Sequence, residues 1–136
     1  MTNEEIVRQF EKGRAPGESF HHTDHIRVAF SYLSQYPAIA ALQKFSDALR
    51  RFAAEQGKPQ LYHETITWAY LFLIRERMLR ANPAQSWEDF AAANPDLLLW
   101  EPGKGGILSQ YYQQATLFSE AARAAFLLPD KLVSVS

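Results

Sequence analysis

The segment Ile66-Thr67-Trp68-Ala69-Tyr70-Leu71-Phe72-Leu73-Ile74 constrains the fold of this chain more than any other, because as a helix it is apolar nearly all the way round. A helix of that kind cannot lie on a surface and has to be surrounded. It is shorter than the roughly 20 residues a bilayer requires, and Arg75-Glu76-Arg77 follow at once. The stretch from Tyr62 to about Leu79 therefore reads as the central buried helix of a domain, and the rest of the chain should supply helices that cover it.

Those covering helices are visible as patterns of period 3.6, and alternating strand patterns are nearly absent. A first helix is expected over about residues 3–12, with Ile6, Val7 and Phe10 on one side, ending near Gly13 and a loop at Arg14-Ala15-Pro16-Gly17. A second should start around Thr23 as N-cap, with Asp24 in its first turn and an apolar stripe of Ile26, Ala29, Phe30 and Leu33. Tyr36-Pro37 marks a break, so a third helix is expected over about residues 37–55, burying Ile39, Leu42, Phe45, Leu49 and Phe52. Past Asn82-Pro83, Ser86-Trp87-Glu88-Asp89-Phe90 suggests a short capped helix that Asn94-Pro95 ends. Leu97 to Trp100 then enters a turn-rich stretch, Glu101-Pro102-Gly103-Lys104-Gly105-Gly106, read as a flexible loop and candidate lid. A last helix is expected to include Leu117 to Phe126, closed by Leu128-Pro129-Asp130. The fold expected is all-α: a compact single-domain helical bundle of about five to six helices over residues 1–136.

Composition narrows the function classes. A chain of 136 residues that is 47% hydrophobic has the size and mixture of one domain able to bury a core without staples. With no cysteine there is no disulfide framework, thiolate nucleophile or zinc finger, so any metal site must use His, Asp and Glu. Fourteen basic against fifteen acidic residues leave a net charge of −1, without the electrostatic footprint of a nucleic-acid or anionic-membrane binder. The acidic start Met1-Thr2-Asn3-Glu4-Glu5 has the wrong order for a signal peptide, so a cytoplasmic location is expected. Partners are expected to be small molecules, with no nucleic acid and no membrane, and a homodimer is left open.

All four histidines fall in two short segments, Phe20-His21-His22-Thr23-Asp24-His25 and Tyr62-His63-Glu64-Thr65. On the second helix His22 lies four residues before Ile26 and His25 four before Ala29, so both rings extend the apolar stripe, and His22 is favoured over His21 as the inward residue. His63 shares a face with Thr67, Tyr70 and Ile74, and Glu64 shares one with Trp68 and Leu71. Buried imidazoles and carboxylates need partners, and each segment is the other's expected partner. Convergence of His22, His25 and His63 would hold a divalent metal ion (Zn, Fe, Mn or Cu), with Glu64 as general base or fourth ligand. His21, Asp24, Tyr62 and Thr67 are additional candidates, Thr65 and Thr67 being weak ones as nucleophiles. His63-Glu64 is not a zincin motif, since Thr67 stands where a second histidine would be. The aromatics Phe20, Tyr62, Trp68, Tyr70, Trp100, Tyr111 and Tyr112 could line a pocket for a flat substrate, although ordinary core packing accounts for such residues too.

The elements FHHTDHIRVAFSYL, YHETITWAYLFLI and YYQQATLFSEAARAAFLLPD, from about Phe20 to Asp130, resemble a family of small, mostly uncharacterised bacterial all-α proteins carrying F-x-H-x-x-H and Y-H-E-T in this order. The resemblance implies that the two histidine segments form one unit and implies no mechanism. Two functions are therefore expected: a metal-dependent enzyme, hydrolase or oxygenase, acting on a small organic molecule, or a non-catalytic small-molecule-binding or protein-interaction module whose buried histidines are structural.

Overall fold

The computed structural model describes residues 1–13, 21–82, 84–101 and 103–131. The loop expected at Arg14-Ala15-Pro16-Gly17 lies outside these residues, as do Phe20, Pro83 and Pro102. Among the described residues there are eight α-helices and two short 3₁₀ segments and no strand, and no helix is long and apolar enough to cross a membrane.

Helix α1 (Asn3–Glu11) opens with a capping box, Thr2 Oγ1 accepting the Glu5 N–H at 3.1 Å while the Glu5 carboxylate accepts the Thr2 N–H. It buries Ile6 and Phe10. Helix α2 (His22–Gln35) begins earlier than expected, with His21 rather than Thr23 as N-cap. The reason is Asp24, whose carboxylate accepts the His21 N–H at 3.0 Å from three residues along, so the helix is sealed before Thr23 is reached. Helix α3 (Ala38–Glu55) follows Pro37 and ends ahead of Gly57.

Helix α4 (Glu64–Arg80) is the expected central helix, burying Thr65, Thr67, Ala69, Tyr70, Leu71, Ile74 and Met78, but it is not surrounded on every side, since Phe72 is exposed. It starts later than expected because His63 is its N-cap, which leaves Tyr62 outside the helix, after a 3₁₀ turn over Pro59–Leu61. Helix α2 packs against α1, α3 and α4, and α3 also packs on α4, so these longest helices enclose one core. Ile39 is a correction: it is 83% exposed, because six residues separate it from Phe45 and turn it about 120° away from the buried face that Ala41, Phe45 and Ala48 make.

Short elements close the far side: α5 (Trp87–Ala93, capped by Ser86), α6 (Pro95–Leu98), a 3₁₀ turn over Gly106–Gln110, α7 (Gln114–Leu117) and α8 (Glu120–Ala124). The single last helix expected from Leu117 to Phe126 is instead interrupted at Phe118-Ser119. Ser119 Oγ donates to the Thr116 carbonyl and accepts the Ala122 N–H, ending one helix and capping the next. Within the glycine-rich stretch read as a candidate lid, Glu101, Gly103 and Lys104 are exposed, while its end packs on the core. Gly105 is buried, and Gly106, at φ 57°, sits so close to α4 that a Cβ would clash with Tyr70 Oη and lie 2.9 Å from the Leu99 carbonyl.

Candidate functional site

Between α2, α3 and α4 lies a cavity of about 590 Å³, within the range that small organic ligands occupy. Helix α2 contributes His22, His25 and Ile26; α3 contributes Phe45, Leu49, Phe52, Ala53 and Gln56; α4 contributes Ile66, Thr67 and Tyr70. Tyr62 and His63 enter from the segment before α4, Trp100 from the stretch after α6, and the exposed Lys58 and Leu61 line the outer end. The two histidine segments are thus brought to one place, and His22 lines the cavity while the His21 side chain is 75% exposed.

Each histidine owes its position to a local cause. His22 Nε2 donates to the carbonyl of Leu97 at 3.0 Å, and its ring stacks on Trp100 at 4.9 Å and meets the edge of Tyr70 at 5.0 Å. His63 caps α4: Nδ1 accepts the Ile66 N–H at 3.1 Å, and Nε2, which must then carry the proton, donates to the Leu117 carbonyl at 2.7 Å. His25 is packed against Phe10 and Phe52, with ring centroids 5.7 and 6.2 Å away. Burial lowers the basicity of all three. His25 is pushed down to about 3, by desolvation first and by neighbouring His22 second. His22 and His63 are lowered by burial against the opposing pull of their carbonyl acceptors. The cavity wall therefore carries neutral imidazoles at ordinary pH.

Glu64 takes no part in lining the cavity. Its carboxylate accepts from Tyr62 Oη at 2.5 Å and from Trp68 Nε1 and Arg50 Nη2 at 2.9 Å each, while the Arg50 guanidinium lies over the Tyr62 ring at 4.7 Å. The expected pairing of the two histidine-bearing segments is replaced by other partners. His63 bonds to backbone groups and Glu64 to Arg50, Tyr62 and Trp68. Both ring nitrogens of His63 are engaged. Among the described residues no group of three His, Asp or Glu side chains is arranged to hold a metal ion.

Thr67 lines the cavity and donates its hydroxyl proton to the His63 carbonyl at 2.7 Å. Asp24 stays with His21 at the start of α2. Thr65 is fully buried away from the cavity, where its hydroxyl lies 2.7 Å from the Ala122 carbonyl and accepts the Leu127 N–H, lashing the C-terminal segment to α4. Of the aromatics, Tyr62, Tyr70 and Trp100 line the cavity; Trp68 stacks on Phe126 at 5.1 Å, and Tyr112 is buried with its hydroxyl on the Leu127 carbonyl. Sequence reasoning placed Phe45, Leu49 and Phe52 on one buried stripe yet counted them as core. It had no means of finding the carbonyls of Leu97 and Leu117, 75 and 54 residues from the rings that bond them. Compared with known proteins, the chain matches no protein family, no curated protein and no solved structure.

Proposed function

We propose that this protein binds a small, largely apolar organic molecule in the cavity between α2, α3 and α4. The observation that carries the reading is the cavity itself: about 590 Å³, walled by aliphatic and aromatic side chains, with its three histidines neutral and two of them already hydrogen-bonded to backbone carbonyls. Such a lining favours apolar surface leaving water, and the one charged side chain on it among the described residues, Lys58, is exposed at its outer end. Tyr62 and Tyr70, pushed up to about 12 by burial, stay protonated and add no charge.

A metal-dependent enzyme remains the competing use of the same histidines. It requires His63 to give up either the bond that caps α4 or the bond to Leu117, and Glu64 to leave three donors. Titration with N-phenyl-1-naphthylamine, a neutral fluorophore that brightens in apolar surroundings, tests the binding reading. Saturable enhancement near one equivalent is expected, and its absence would overturn the reading. Plasma mass spectrometry of the same preparation addresses the competitor: near-stoichiometric metal lost in His63→Ala would favour the metal site.

A further inference from the structure

Four of the lining polar groups give their protons to the protein rather than to the cavity. His22 Nε2–H goes to Leu97, His63 Nε2–H to Leu117, the Thr67 hydroxyl proton to His63 and the Tyr62 hydroxyl proton to Glu64. What His22, Thr67 and Tyr62 still have is lone pairs: Nδ1 of His22 and the two hydroxyl oxygens are acceptors with no proton left to offer. Lys58 and Gln56 do carry N–H groups at the lining, but both are exposed, and an ion pair on an exposed lysine adds little. No carboxylate and no arginine lines the cavity among the described residues.

Shape adds a second constraint. The rings of His22 and Trp100 stack nearly parallel, with an interplanar angle of 22°, and Tyr70 stands edge-on to His22 at 70°. Phe45 and Phe52 come from α3. Flat faces of this kind suit a planar ring better than a branched aliphatic body.

Resting on the reading of the cavity as a ligand site, we infer that its ligand is an uncharged planar aromatic molecule bearing a hydrogen-bond donor, of the phenol, indole or aryl-amine class, whose O–H or N–H is taken by the lone pairs of His22 and Thr67. An ether of the same shape would leave those acceptors desolvated and unpaired. A carboxylate would set its charge against acceptors and neutral rings.

Calorimetric titration of the whole chain with 2-naphthol, 2-methoxynaphthalene and 2-naphthoate tests this. The naphthol should bind about tenfold tighter than the ether, the difference expected when a buried acceptor loses its partner, and naphthoate should bind more weakly than the naphthol. In His22→Phe, which keeps the ring face and removes Nδ1, the preference for naphthol over ether should collapse while ether binding is retained. Thr67→Val reads the second acceptor in the same way, and the ligand series on the native protein decides if either variant does not fold. Equal binding of naphthol and ether, or tightest binding of naphthoate, overturns the inference and leaves the cavity a ligand site. Failure of all three to bind, together with N-phenyl-1-naphthylamine, overturns the cavity reading itself.

Discussion

At the scale of single residues, His22, His63 and Thr65 each bond a backbone carbonyl more than fifty residues away. Thr65 is the strongest case: fully buried, its one hydroxyl serves the Ala122 carbonyl and the Leu127 N–H together. Thr65→Val keeps the shape and strands both groups, so a loss of about 1–3 kcal/mol is expected in urea unfolding, and an unchanged midpoint would contradict the strap. Gly106 makes a second test. Its positive φ and its closeness to Tyr70 and the Leu99 carbonyl leave no room for a Cβ, so Gly106→Ala should cost on the order of 1–3 kcal/mol and lower the melting temperature. Such roles were not legible in the sequence. Thr65 stood there as a weak nucleophile, because what defines it is a pair of backbone groups 57 and 62 residues away.

At the scale of elements, the long helices were legible and the short ones were not. The stripes of α1 and α2 and the all-round apolar run of α4 follow from burial, which the pattern of side chains encodes directly. The starts of α2 and α4 were misplaced because caps are decided by one hydrogen bond each, Asp24 to the His21 N–H and Ile66 N–H to His63. Burial of His22, His25 and His63 couples α2 and the start of α4 to pH. An unfolded histidine takes up a proton near pH 6.5, whereas folded His25 resists until about 3 and His22 and His63 are lowered too. Between those limits the unfolded state binds more protons, so stability is present above pH 6.5 and lost as pH falls, by up to about 1.4 kcal/mol per pH unit for each histidine. Urea midpoints taken near pH 7 and near pH 5 should therefore decrease, and the decrease should be smaller in His25→Phe. A rise on acidification would contradict neutral, buried histidines.

At the scale of the whole molecule, the α-helical core could be read from the chain, whereas the lining of one cavity by His22, His25 and His63 is a property of how α2, α3 and α4 pack. What the histidines do there could not be read. The difference between a metal ligand and a hydrogen-bonded wall lies in where each ring nitrogen points, and that is set by α6 and α7, whose Leu97 and Leu117 carbonyls reach the rings. The same geometry leaves a cavity between α2, α3 and α4, the proposed ligand site. The most direct test is to fill it. Ala53→Trp and, independently, Ile66→Trp place an indole into the cavity from α3 and from α4. Each variant, its helical circular dichroism checked against the native protein, should bind N-phenyl-1-naphthylamine about tenfold more weakly or not at all, a loss of about 1.4 kcal/mol or more. Folded variants that bind the fluorophore as the native protein does would place the ligand elsewhere and contradict the cavity as the functional site.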